Sequence, residues 1–315
     1  LITAGLGYGI LSIADSYYGV LFALLIAGTG AAFQHSLSSA LISRVYDGPS
    51  GRVALGTYNA SGDAGKLLFT GVASLLFGVG IAWQEVVSGY GILALLVAAV
   101  LWLGLRRLRL PGAVSMSARN PSTAGGWGIR DRSGFRWLAA IVFLDSAVQD
   151  GFLVFVAFLM IEKNIPAGLA AFAVVATLAG GVIGKYACGH LSARMGVVRS
   201  LILVEVCTAA GIMGVIMLPT VAVFFLLPLV GIVLQGSSTI TYGSVRQFVD
   251  EARQSRGFAL IYSMANGASV AGPVGFGIIS DIYSVGTAVV LMAVVALLPL
   301  GMCMRLQAGL NRVGQ

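Results

Sequence analysis

Residues 221–244 read VAVFFLLPLVGIVLQGSSTITYGS, a long apolar run that continues into Gln235, Ser237, Ser238, Thr239, Thr241 and Tyr242 without a single charge. An α-helix needs ~20 residues to cross ~30 Å of hydrocarbon, and a helix apolar on every side has no face to offer water. Outward from this stretch the pattern recurs in both directions. Hydropathy places spans at 1–14, 17–43, 53–82, 86–105, 137–161, 167–188, 200–218, 221–244, 257–280 and 284–304. With 58% apolar and 10% charged residues, the 315-residue chain has too little polar surface to enclose its own core in water. The alternating polarity of a barrel strand is absent, so the sequence predicts an all-α polytopic membrane protein. The first span is short and opens on Leu1 with no charged flank, from which an upstream portion is expected.

Charge sets the orientation. Arg44 and Arg52; Arg106, Arg107, Arg109, Arg119, Arg130, Arg132 and Arg136; Arg194 and Arg199; Arg246, Arg253 and Arg256; and Arg305 and Arg312 fall in every second break. The positive-inside rule puts these breaks in the cytoplasm. The breaks between them, near Asp15, Glu85, Glu162 to Pro166, Pro219 and Asp281, contain Lys163 as their only basic residue. The net charge of +7 is thus a sign of topology, and no nucleic acid is needed to account for it. Cys188, Cys207 and Cys303 are odd in number and far apart, which predicts free thiols. Gly5-Leu6-Gly7-Tyr8-Gly9 follows no strand and is not a nucleotide loop, while Asn59-Ala60-Ser61 is a sequon buried inside a span.

The polar, Pro- and Gly-rich stretch 106–135 divides the chain. The predicted organisation is an N-terminal bundle at 1–105, a cytoplasmic linker at 106–135, a six-helix bundle at 136–305 and a cytoplasmic tail at 306–315. Gly30-Ala31-Ala32-Phe33-Gln34-His35-Ser36 repeats as Gly231-Ile232-Val233-Leu234-Gln235-Gly236-Ser237. After the loops that follow, Arg52 and Tyr58 match Arg256 and Tyr262 at the same interval. A parallel repeat of membrane helices about 200 residues apart is the pattern of a transporter made of two six-helix halves. Equal halves would put two further helices before Leu1.

The run from Gly28 to Ala64 comprises Gly-Thr-Gly-Ala-Ala-Phe-Gln-His-Ser-Leu-Ser-Ser-Ala-Leu-Ile-Ser-Arg followed by Arg52-Val-Ala-Leu-Gly-Thr-Tyr-Asn-Ala-Ser-Gly-Asp-Ala. It resembles the fourth helix, loop and fifth helix of the major facilitator superfamily, and within it the fosmidomycin-resistance-like efflux branch. Gly189-His-Leu-Ser-Ala-Arg194-Met-Gly196-Val-Val-Arg199 is similar to the superfamily's loop signature after the eighth helix. The resemblance implies a major facilitator-type fold of two pseudo-symmetric bundles, the ten spans being family helices three to twelve. Spans two and eight would then border the central cavity. The chain departs from the pattern at Ser36, where the branch has Pro, and at Ala193, where the signature is acidic. Gly272-Pro273 also stands in the eleventh family helix, and the fifth reads Gly62-Asp63-Ala64-Gly65.

Charges inside the membrane point to function. An ionised side chain at mid-bilayer costs about 2.5–3.5 kcal/mol, so Asp63, Lys66, Asp145 and Asp150 must be paired, protonated or wet. Asp63 and Lys66, three residues apart, share a helix face and neutralise one another as a structural pair or a coupling element. Asp145 shares a face with Gln149, Phe152 and Val156; Asp150 lies about 140° away with Ser146, Ala147, Val154 and Ala157. A carboxylate that meets the two sides of the membrane in turn can change its proton occupancy; of Asp145 and Asp150 only one is expected to look into the cavity, and at least one to be a coupling or substrate-cation site, the alternative being a protonated, hydrogen-bonded acid between helices. Gln34, His35, Gln149, Gln235, Ser238 and Tyr242 are the candidate substrate-cavity residues, Gln34 and Gln235 standing at equivalent repeat positions. Lys185 is expected to snorkel to the cytoplasmic surface, and Glu205 to have no role beyond pairing. No ATPase loop, metal-ligand cluster or nucleophile–base constellation occurs, so neither an enzyme nor a cofactor is expected.

The sequence therefore predicts a multi-pass, monomeric secondary transporter of a bacterial inner membrane. Its partners are a small drug-like or amphiphilic substrate, protons and the bilayer, with proton-coupled efflux by alternating access. Uniport or metabolite import, and a transporter-derived sensor or assembly protein, are the rival readings.

Overall fold

The computed structural model describes residues 1–46, 48–107 and 127–313. Among them the chain runs through α1 (Ile2–Ser12), α2 (Tyr17–Val45), α3 (Gly48–Gly78), α4 (Trp83–Arg107), α5 (Arg132–Glu162), α6 (Ala167–Met195), α7 (Val197–Met217), α8 (Thr220–Phe248), α9 (Gln254–Ile282) and α10 (Val285–Val313). Each apolar span is a helix, because a segment in lipid must satisfy its backbone amides and carbonyls within itself. Six of the helices, α4 to α8 and α10, are long and apolar enough to cross a membrane by length and composition. Most of the expected linker 106–135, with Arg109 and Arg119, lies outside the described residues.

Two compact units form. The first comprises residues 1–38 and 69–127, the second 39–68 and 128–315. In the first, α1 lies on α4 and on the start of α2: a Cβ on Gly7 would come within 2.6 Å of the Ala27 amide, and one on Gly91 within 3.1 Å of the Gly5 carbonyl. Those glycines therefore let backbones touch, and the run Gly5 to Gly9 is ordinary helix. An open depression of about 430 Å³ lined by Ser12, Gln84, Glu85, Ser88, Gly89 and Ile92 lies in this unit.

In the second unit α6 and α8 approach most closely. A Cβ on Gly180 or Gly184 would overlap the carbonyls of Pro228 or Ile232, and one on Gly231 the carbonyl of Thr177. At the join of α6 and α7, Gly196 (φ 83°) ends one helix and caps the next, a turn that side-chain-bearing residues rarely adopt. Lys163, just past α5, donates to the Val215 and Leu218 carbonyls and so satisfies the C-terminus of α7.

Two apolar cores fill this unit, and every helix from α5 to α10 passes from one to the other. The first holds Val148 to Met160 of α5, Ala209 to Val215 of α7 and Val223 to Leu234 of α8. The second holds Phe135 to Val142, Val197 to Val204 and Ile240 to Phe248 of the same helices. At the crossing level sit Asp145 and Ser146 on α5, Glu205 and Thr208 on α7, and Gln235, Ser237, Ser238 and Thr239 on α8, all buried. A belt of polar side chains thus separates two dry layers.

Asp131 caps α5, accepting from the Ser133 amide at 2.9 Å and from Arg312 at 2.7 Å. Partial burial acts to raise its pKa, but the Arg312 hydrogen bond and the Gly134 and Ser133 amides outweigh it and hold the carboxyl below the usual carboxylate range. With the folded value depressed, the stabilisation is complete above the unfolded carboxylate value and is lost as pH falls through the folded one. Asp131→Ala should lower stability by about 1 kcal/mol at neutral pH and by less in acid, as read by thermal unfolding in detergent. Gly231→Leu should abolish the folded state, whereas Gly267→Ala, with nothing within 4 Å of its added Cβ, should leave the melting temperature unchanged or raise it slightly.

Candidate functional site

The two oxygens of Asp63, on α3, are both engaged. Lys66 Nζ lies 3.0 Å from one, and Lys185 Nζ of α6 lies 2.5 Å from the other. The lysines differ in setting: the side chain of Lys66 is 73% exposed and that of Lys185 only 13%. The pairing expected between Asp63 and Lys66 is therefore present, but the buried half of the interaction belongs to Lys185. This corrects the expectation that Lys185 snorkels away to the surface. A desolvated ammonium gains more from a carboxylate at contact than from a stretched path to water.

The charge of Lys185 also reaches Asp150 and Asp145 of α5. Each acid has its own hydroxyl donor. Ser237 of α8 donates to both oxygens of Asp145, at 2.7 and 2.8 Å, and Ser269 of α9 donates to Asp150. The wide rotation between the two acids along α5 thus directs them to different helices. Asp145 is fully enclosed and Asp150 half-buried. Gly272, one turn after Ser269, permits this: a Cβ there would come within 2.6 Å of the Ala147 carbonyl, so α5 and α9 meet backbone to backbone.

The other expected residues separate into two groups. Gln149 donates to the Leu234 carbonyl at 2.8 Å, tying α5 to α8 beside Asp145. Gln235 is buried where Gly181 of α6 leaves room for its stem; Ser238 is buried and donates to the Gln235 carbonyl. Tyr242 lies with its ring centroid 4.6 Å from that of Tyr262, whose hydroxyl is 2.8 Å from Ser39. These residues all lie in the second unit with Asp63, Lys66, Asp145 and Asp150. Gln34 and His35 are exposed residues of the first.

Sequence reasoning missed Lys185 as a partner and Ser269 altogether. Ser269 had a signal, since it stands one turn before the Gly272-Pro273 step, but a lone serine in a span is usually bonded to its own helix. Glu205, of which nothing beyond pairing is expected from the sequence, is 1% exposed, and among the described residues its Oε1 has no hydrogen-bond partner. Among the described residues no group of three or more His, Cys, Asp and Glu is placed to hold a metal ion.

A family model described as Major Facilitator Superfamily matches residues 1–245. Solved structures similar to the chain include the E. coli fucose:proton symporter FucP, with a TM-score of 0.72 at 15% identity over 96% of this chain and 82% of that one. The human organic anion transporter MFSD10 is similar with a TM-score of 0.74 at 15% identity, over 96% and 75% of the two chains. A bacterial homologue of the iron transporter ferroportin, in an outward-facing state, gives 0.71 at 14% identity over 98% and 80%. At these identities the likeness is one of fold. No match is found among curated proteins.

Removing one partner of a buried pair leaves the other charge uncompensated, at a cost of about 3–5 kcal/mol. Asp63→Asn should therefore destabilise strongly, and adding Lys185→Met should restore most of the loss. Lys66→Met alone should change the melting temperature little. Thermal unfolding of the three variants beside the unaltered protein checks this, and a loss in Lys66→Met equal to that in Asp63→Asn would show that burial does not rank the two lysines.

Proposed function

The chain belongs to the major facilitator superfamily, and from that premise we propose that it is a secondary transporter expelling a small drug-like or amphiphilic molecule in exchange for protons. The observation that carries the reading is the charge arrangement around Lys185. One ammonium group is held by Asp63 while the charges of Asp150 and Asp145 also act on it. When Asp150 or Asp145 takes up a proton, Lys185 is left to Asp63. When the proton leaves, the new carboxylate competes for the same ammonium. A change of one proton thus redistributes attraction among α3, α5 and α6, which is what alternating access needs from its coupling groups.

The substrate class is read from the side chains beside the acids. Tyr242 and Tyr262 offer ring faces, and Gln149, Gln235 and Ser238 offer amide and hydroxyl groups. This combination suits a molecule with an apolar body and a few hydrogen-bonding groups. Gln34 and His35, exposed on α2 in the first unit, are proposed as substrate-contacting residues of that unit by itself. The motif between Gly28 and Ala64 supports the fosmidomycin-resistance-like branch, and the arginine distribution supports a bacterial inner membrane with a cytoplasmic linker at 106–135 between bundles at 1–105 and 136–305. The second reading is uptake with protons, favoured by neighbours described as fucose:proton and proton:xylose symporters.

Flux measured in vesicles that contain the full-length protein, over a substrate panel and with an imposed pH gradient, separates the two by the direction of proton-driven movement. Asp150→Asn and Asp145→Asn should each reduce gradient-driven accumulation about tenfold or more while leaving exchange of labelled for unlabelled substrate. Unchanged gradient-driven flux in both variants would sink proton coupling through these acids.

A further inference from the structure

Among the described residues of the second unit, the buried carboxylates are Asp63, Asp145 and Glu205. Asp63 is held by Lys66 and Lys185, Asp145 by Ser237, and the remaining one is Glu205. It is 1% exposed, and one of its oxygens meets no donor. Thr208, one turn further along the same face of α7, is 2% exposed with an unpartnered hydroxyl. Two deeply buried oxygens on one helix face, both without partners, mark a polar spot lined from one side only.

Its surroundings decide what it holds. Glu205 sits at the crossing level of the two apolar cores, between Val204 and Ala209 of α7. The charged group within electrostatic reach is Asp145 of α5, a like charge. From α10, which packs on α7, Cys303 comes within the same reach. From α8 and α6, the other helices against α7, Tyr242, Cys188 and Lys185 lie within reach of Asp145. The Lys185 ammonium is held by Asp63, and among the described residues no ammonium or guanidinium group reaches Glu205 itself. An ionised Glu205 would therefore be buried without compensation beside another carboxylate, which costs far more than keeping a proton. A metal ion is a poor alternative, because the local donors are one carboxylate, one hydroxyl and a thiol.

We propose that Glu205, with the Thr208 hydroxyl beside it, is a second buried proton-binding site whose occupancy is linked to that of Asp145. Its ligand is a single proton, bound to the carboxyl. The two acids cannot both be ionised cheaply, so loss of the proton from Asp145 strengthens its retention at Glu205, and neutralising Asp145 weakens it. The use of this site in transport rests on the proton-coupled reading above, but its existence can be tested without any flux.

Infrared spectroscopy of the purified full-length protein in lipid, with glutamate isotopically labelled at the side-chain carboxyl, provides the test. Of the four glutamates in the chain, Glu85, Glu162 and Glu251 are exposed and Glu205 alone is buried, so a labelled carboxyl band lost in Glu205→Gln reports Glu205. The expected result is a carboxylic-acid band at pH 7 that disappears in Glu205→Gln and shifts in frequency in Thr208→Val. In Asp145→Asn the band should vanish at a lower pH than in the unaltered protein, because the like charge is gone. A labelled spectrum without that band at pH 7 overturns the proposal, as does an endpoint indifferent to Asp145→Asn. Should Glu205→Gln fail to fold, the label and the Asp145→Asn titration still decide. A positive spectrum with no pH-driven flux would refute the transport reading alone, and flux with no such band would refute this site alone.

Discussion

A carboxylate among membrane-spanning helices has to find a proton, a cation or a set of hydrogen-bond donors, since lipid supplies none of them. Much of the second unit follows from meeting that need. Asp63 takes two lysines, Asp145 takes both its bonds from Ser237, and Asp150 takes Ser269, each donor but Lys66 coming from a different helix. Polar satisfaction therefore acts here as a set of cross-helix ties. Because the Asp145–Ser237 tie lies between apolar cores on either side, electrostatic interactions there are only weakly screened.

The ties could not form if the helices stood at ordinary separation. Gly180, Gly184 and Gly231 bring the backbones of α6 and α8 together, and Gly272 does the same for α9 and α5. Without a driving force to squeeze apolar side chains out of lipid, such close backbone approach gains dispersion contacts over a large area. Its consequence is chemical as well as mechanical. Short serine side chains reach across, and Lys185, on the α6 face next to Gly184, is carried to Asp63 of α3.

Much of the site could be read in the residues themselves. Asp145 and Asp150 announce themselves as charges in an apolar span, and a rotation of about 140° separates them on the helix, but the spacing does not say which helix each one meets. Asp63 and Lys66 are legible as a pair because three residues bring two side chains to one face. Lys185 was not legible in the same way. A lysine close to a span end has two outlets, water or a buried acid, and sequence spacing along α6 contains nothing about α3. Glu205 presented the same ambiguity, its distance from the helix end suggesting a surface neighbour that the packing of α7 against α10 and α8 removes.

The sequence by itself determined that this chain is a bundle of membrane helices, roughly where the apolar part of each lies, and which residues are too polar to stand unaided there. It could do so because hydropathy and helical periodicity are local properties, set by burial in lipid and by 3.6 residues per turn. The tertiary structure alone decided who satisfies whom: Lys185 with Asp63, Ser237 with Asp145, Ser269 with Asp150, and no donor for one oxygen of Glu205. Those choices depend on which helices touch and at what depth. Contact across a hundred or more residues of chain is fixed by packing, which leaves no periodic trace in either partner.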